Sequence, residues 1–434
     1  MNSAPDFSID NGEKIDHKQA KRRMRRARLL LLLSSLLLCL FVIEVGLRVA
    51  GFSYPEFYIV DNARGYALRP GVAGWYRKEG EAYVRINSDG LRDREHSRTK
   101  PAGTFRIAVL GDSYIEALQV PFEKSFCAVL ESKLRECPSG AGDKIEVINF
   151  GVSGYGTAQE FITLRDHVWQ YSPDIVLLAL TTNNDISDNV RELKGVNQIP
   201  YFLVLRDGTL VEDQSFLNVK SFRLRQSFIG SLGRWFRDHL RIVQGIDLAI
   251  RNYKVARAVR QATPAATPSP GASTAASPSP ENPIAPSTAA LADIGIDNQI
   301  YREPSNQSWN EAWRTTEGLI KTMDQEVRSH GAQFVVVTLS NGIQVTPDAQ
   351  TRAAFLRAIG ARDIFYPDTR IREFCQRENI PVVTLAPLLQ KFAETNHAFL
   401  HGFGENLGNG HWNLQGHQVA GEMVASEICA MSAR

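Results

Sequence analysis

Five runs of apolar and β-branched residues recur along the chain, at 106–110, 145–150, 175–180, 334–339 and 382–385. Most are apolar at consecutive positions rather than alternate ones. A strand of that kind is buried on both faces, the condition inside a parallel sheet covered by helices on each side. Between the runs, the segments 122–137, 158–171 and 309–330 place apolar residues three and four apart, the spacing of an amphipathic helix, and 419–430 adds another near the C-terminus. Short buried strands alternating with helices predict an α/β fold with a five-stranded parallel sheet.

The N-terminus has a different pattern. Seven cations between Lys18 and Arg28 precede an uncharged stretch of fifteen residues, 29–43. At 1.5 Å per residue that stretch covers about 22 Å, less than the roughly 30 Å hydrocarbon core of a bilayer. Extension to Val49 covers the distance if Glu44 and Arg48, four apart on one helical face, pair near the far interface. A cleaved signal peptide ending at Ala50 is disfavoured by Arg48, and a lipoprotein at Cys39 by the large Leu38 before it. The pattern predicts a transmembrane signal anchor over 29–50, contacting the lipid bilayer, with a basic cytoplasmic tail over 1–28. The positive-inside rule then puts the chain from about 52 onward outside the cytoplasm.

Residues 52–104 carry aromatics, glycines and short alternating stretches such as 82–86, and read as a β-rich arm of hairpins ahead of an α/β domain over 105–434. The third and fourth strands lie too far apart for one crossover, which marks 186–308 as an insertion. Within it, 217–260 is amphipathic and helical in pattern, suited to a cap beside an active site. The tract 262–290 is almost entirely Ala, Thr, Ser, Pro and Gly, a composition that cannot bury enough apolar surface to fold and reads as a linker.

Composition narrows the function classes. With 43% hydrophobic and 22% charged residues and a formal net charge of +2, the chain has no basic stripe interleaved with aromatics, so nothing points to nucleic acid. The five cysteines show no CxxC or Cys/His spacing, so no metal is implied. Cys39 lies in the anchor. The other four allow three pairings in an oxidising compartment, a local Cys127–Cys137 bridge among them.

Candidate chemistry gathers where the apolar runs end, the edge at which open parallel sheets bind ligands. The first run ends in Gly111-Asp112-Ser113, with the serine at a helix start where backbone N–H groups favour negative charge. The second leads into Asn149-Phe-Gly-Val-Ser-Gly154, whose glycines admit a ligand close to the backbone. The third ends in Thr181-Thr-Asn-Asn184-Asp185. Close to the C-terminus, His411 stands at a loop-to-helix junction, placed to serve as the base that Ser113 needs.

These four blocks, in this order, resemble those of the SGNH (GDSL) hydrolases over roughly 105–185 and 330–430. The resemblance implies a flavodoxin-like α/β/α sandwich with strand order 2-1-3-4-5. It also implies Ser113 as nucleophile, His411 as general base, and an oxyanion hole from the Ser113 N–H, the Gly154 N–H and the Asn184 side chain. No cofactor and no metal are implied, and the substrate is a small-molecule, lipid or glycan ester. The chain departs from the family in two places. Where the family carries an aspartate three or two residues before the histidine, it has Gly408 and Asn409, and no aspartate follows Asp368. Orientation of His411 therefore falls to Asn409, to Glu405 or to a backbone carbonyl. Thr182 also replaces the usual glycine of the third block. The expected activity is that of an esterase, plausible on acetyl groups of a cell-envelope glycan or lipid outside a bacterial cytoplasmic membrane. The same residues would suit an O-acyltransferase, and the missing acid would suit a binding or assembly protein that keeps the fold.

Overall fold

The computed structural model describes residues 10–137, 144–205, 207–262 and 298–432. From 263 on, the linker inferred from composition lies outside them. The chain divides into two compact units, one of residues 1–54 with 233–268, the other of 55–232 with 269–434.

The first unit is built on a 40-residue helix, α1 (Asp10–Val49). Its stretch Ala20–Val49 is long and apolar enough to cross a membrane, and its leucines from Leu29 to Leu40 are exposed. Glu44 and Arg48 do pair, Nε to Oε1 at 2.8 Å, as their spacing predicts.

The second unit opens with two antiparallel hairpins, β1 (Tyr58–Asp61) with β2 (Gly65–Leu68), and β3 (Ala73–Tyr76) with β4 (Ala82–Arg85). The sheet follows: β5 (Thr104–Gly111), β6 (Lys144–Asn149) and β7 (Ile175–Thr181) from the first half. A separate hairpin, β8 (Tyr201–Val204) with β9 (Leu210–Asp213), sits in the insertion. The sheet is completed by β10 (Gln333–Leu339) and β11 (Val382–Thr384). The order is β11-β10-β7-β5-β6, and all four neighbour pairs are parallel. Numbered among themselves, the five strands run 2-1-3-4-5, the expected order.

Alternation within each strand divides the core in two. Ala108 and Leu110 of β5, Val176, Leu178 and Leu180 of β7 and Val336 of β10 face one layer. Ile107, Val109, Leu177, Ala179, Val335 and Val337 face the other. The first layer is covered by α4 (Thr157–Asp166), by a long helix Gln307–Ser329 that contributes Trp309 and Trp313, and by Tyr366–Arg377. The second is covered by α3 (Phe126–Leu134), by Leu385–Asn396 and by the C-terminal helix Leu414–Ser432. Ser113–Glu116, between β5 and α3, forms the single-turn helix α2. Every sheet residue from Ile107 to Leu110 is fully buried, which is why these runs show no polar alternation.

The C-terminal helix approaches α3 closely at Gly421, where a Cβ would come within 2.7 Å of the Val129 side chain. At the end of this contact Cys137 is disulfide-bonded to Cys429. That replaces the local Cys127–Cys137 option: Cys127 is a free thiol whose side chain points into the core beside the sheet, while Cys137 lies past the helix end. The helical segment expected at 122–137 is likewise broken. A 3₁₀ turn, Phe122–Lys124, is separated by the extended Ser125 from α3.

Candidate active site

Strand β5 delivers Ser113 to the carboxyl edge of the sheet through a tight turn. Gly111 is required there, because a Cβ would stand 2.5 Å from the Ile115 side chain. Asp112 caps the turn that follows, its Oδ1 accepting the Tyr114 N–H at 3.0 Å. Ser113 Oγ lies 2.8 Å from His411 Nε2. The other ring nitrogen, Nδ1, lies 2.5 Å from Oε2 of Glu79, whose Oε1 accepts the backbone N–H of His411 at 2.8 Å.

These contacts decide the tautomer. A carboxylate only accepts, so Nδ1 carries the proton and the Nε2 lone pair is left to accept from the Ser113 hydroxyl. Burial works against charge on His411, but the Glu79 carboxylate outweighs it and holds the imidazole pKa above its ordinary value of 6.5. Burial likewise works against the Glu79 carboxylate, and the hydrogen bonds from His411 outweigh it, so its pKa is lowered.

Glu79 occupies the tip between β3 and β4. Gly410, at φ +80°, is what allows it to reach the histidine, because a Cβ at that position would collide with the carboxylate. The His411 loop is itself fixed by Gly402 N–H donating to His411 O (2.9 Å) and Gly408 N–H donating to His401 O (2.9 Å).

Both ring nitrogens of His411 are therefore taken by Ser113 and Glu79, and neither Asn409 nor Glu405 holds the orienting position. The Asn409 N–H donates to Asn406 O at 3.1 Å, and Glu405 is exposed in a 3₁₀ turn. The acid lies 332 residues from the histidine, in the arm that precedes the sheet. Its neighbourhood, Arg77-Lys78-Glu79-Gly80-Glu81, has the charge pattern of an ordinary solvated turn, so no local signal marks it.

Side chains of the remaining blocks bond to the turn that carries Ser113. Asn184 starts a short helix after β7, and its Nδ2 donates to Asp112 Oδ2 at 2.7 Å, joining the first block to the third. Asn149, at the end of β6, donates to Ile115 O (2.8 Å) and accepts from the Gly151 N–H (2.8 Å). The Gly151 amide is thereby engaged within its own loop. Gly154 has φ +77°, and the preceding Ser153 carbonyl accepts from the Tyr66 hydroxyl at 2.8 Å. The Ser153 hydroxyl donates to Glu116, which also accepts from the Tyr58 hydroxyl at 2.9 Å. Glu116 is fully buried, and burial pushes its carboxyl up to about 7. Thr182 is buried as well, packed where Leu339 O and Asn341 approach its hydroxyl.

No family model matches the chain. Over 81 residues, 19% of its length, it is 35% identical to an arylesterase of Vibrio mimicus, and it spans 38% of that relative. Among solved structures it is similar to an acetylxylan esterase of Geobacillus stearothermophilus, at 12% identity and TM-score 0.34, with 75% of this chain and 94% of that one covered. It is also similar to an α/β hydrolase enzyme from the metagenome of Lake Arreo, Spain, at 12% identity and TM-score 0.34, covering 76% and 96%. The strand order 2-1-3-4-5 with every neighbour pair parallel makes the second unit a flavodoxin-like α/β/α sandwich, the fold that the four sequence blocks led one to expect.

Proposed function

We propose that the chain is a serine acyl-ester hydrolase in which Ser113 is the nucleophile, His411 the general base and Glu79 the carboxylate behind it. The observation that carries this reading is the unbroken hydrogen-bonded series from Ser113 Oγ through His411 to Glu79. Attack of Oγ on the acyl carbonyl passes its proton to Nε2, and the imidazolium that forms is stabilised by Glu79. His411 returns that proton to the leaving alcohol, which departs and leaves an acyl-Ser113 ester. Water, deprotonated by the same Nε2, then releases the acid and restores the serine. The Ser113 N–H, the Gly154 N–H and the Asn184 amide are the proposed oxyanion donors, with Asp112 holding the Asn184 amide in place. A donor of this kind is typically worth about 10²–10³ in rate.

Glu79 also weighs against a binding protein that merely keeps the fold, since the case for one was the missing acid. For the substrate we favour acyl groups, acetyl first, on a cell-envelope glycan or lipid. The anchor over 29–50 with its basic flank would hold the second unit at the outer face of a cytoplasmic membrane, and the Cys137–Cys429 disulfide suits an oxidising compartment.

Incubating the full chain in detergent with p-nitrophenyl acetate and a fluorophosphonate probe tests the reading. Turnover and labelling at Ser113 are expected, both lost in Ser113→Ala. Folded protein that neither turns over nor labels would sink it. Acyl transfer to an added glycan in preference to water would move it to an O-acyltransferase.

A further inference from the structure

We propose that the amphipathic helix Phe228–His239 lies in the outer headgroup layer of the bilayer that α1 spans, giving the protein a second, interfacial hold on the membrane. The proposal rests on the anchor reading of α1.

At 100° per residue, Phe228, Ile229, Leu232, Trp235 and Phe236 fall within about 120° of arc, and Arg234 and Arg237 lie on the other side. All five apolar side chains are exposed, Phe228 at 80%, Ile229 at 71% and Trp235 at 50%. No residue of this helix is buried. Five large apolar side chains on twelve residues, outside any core, mark a face covered by something other than the described chain.

Its C-terminal turn is fastened to the outer end of α1. The Arg48 guanidinium donates to His239 O at 2.5 Å. The Glu44 carboxylate accepts the N–H groups of Arg241 (3.0 Å) and Ile242 (3.1 Å), capping the next helix, Arg241–Ala262. Gln244 completes the junction, accepting the Tyr54 N–H and donating to Arg237 O, each at 2.9 Å. Glu44 and Arg48 are the first charges after fifteen uncharged residues of the span. They therefore fix the depth of this junction at the edge of the hydrocarbon, and the helix bonded to them leaves from that level. Aromatic and aliphatic side chains on one face with arginines on the other are what a helix lying in the plane of that interface requires. The adjoining helix extends the surface with exposed Ile246, Ile250 and Tyr253, spaced to share one face.

The full chain in nanodiscs containing phosphatidylcholine brominated at shallow or deep acyl positions tests the proposal. The tryptophan emission that Trp235→Phe removes reports on Trp235 alone. That emission should be mostly lost in the shallowly brominated bilayer and far less affected in the deep one. Alkaline carbonate extraction from membranes separates the two readings. Release of the chain would refute the anchor itself. A chain that stays membrane-bound while Trp235 is unquenched at both depths would overturn the interfacial helix alone. So would Trp235 shielded from bromine by a second copy or another protein, revealed by cross-linking.

Discussion

Replacing Glu79 by Gln tests the site most directly, because it keeps the side chain's shape and removes its charge. The carboxylate accepts two hydrogen bonds from His411, one from the backbone N–H and one from Nδ1. An amide offers a single oxygen, so one of those donors faces an NH₂ group instead. If Nδ1 does, the ring is driven to the tautomer with its proton on Nε2, which cannot accept from Ser113. If the backbone N–H does, the tautomer survives but the imidazolium loses its counter-charge. The analogous change in a serine protease triad costs about 10⁴ in rate, so a fall of about 10³–10⁴ in kcat is expected, about 4–5.5 kcal/mol of barrier. The assay is kcat and kcat/KM with p-nitrophenyl acetate across pH, with circular dichroism to check the fold. Only neutral His411 can act as base, so wild-type activity should fall as pH drops through a pKa raised above 6.5. With that charge gone, burial is opposed only by the lesser pull of Asp112 and Glu116, and the acid limb should move to lower pH. A folded variant retaining activity within tenfold of wild type, with the limb unmoved, would refute the role assigned to Glu79.

Asn184→Ala should lower kcat by about 10²–10³ with little change in KM, since the oxyanion forms only during reaction, and steady-state kinetics would show the split. Cys429→Ser should lower the unfolding midpoint in denaturant by an amount corresponding to about 2–5 kcal/mol, the usual worth of a native bridge. Non-reducing gels should show wild type, but not this variant, shifting on reduction. Burial raises the pKa of Glu116 to about 7 and those of Asp188 and Asp368 to about 6, all above their unfolded values. Their stabilising contribution is therefore complete below about pH 4 and lost as pH rises to about 7. In urea titrations between those limits the stability of wild type relative to Glu116→Gln should fall as pH rises.

The sheet was legible because its three central strands are buried on both faces. A run such as 175–180 is short for a helix, is rich in β-branched residues and leucine and has polar flanks, and the structure finds it as the strand Ile175–Thr181. Boundaries were less so: Leu385, read as the end of the last strand, instead starts a helix, since its apolar side chain serves either element. Of the proposed site residues, Ser113, Gly154 and Asn184 lie in the segments that follow strands and are announced by the glycines and polar residues there. Glu79 is not announced. Nothing within its hairpin distinguishes a carboxylate aimed at a histidine from one aimed at water, and the partner is fixed only by tertiary approach. The closest thing to a signal was the glycine before His411, whose missing side chain leaves room for the carboxylate, and that glycine was unremarkable without the structure. The Cys137–Cys429 pairing, 292 residues apart, was hidden for the same reason.

The carboxylate's position ahead of the first sheet strand has a consequence for how activity arises during synthesis. Glu79 and Ser113 are synthesised 332 and 298 residues before His411. A nascent chain thus carries an acid and a hydroxyl with nothing between them to move a proton. The proton relay proposed for hydrolysis is complete only once the His411 loop is laid between two segments made long before it. Excising residues 105–434 as a self-contained enzyme would reverse the defect, keeping serine and histidine but leaving the imidazole without its anion.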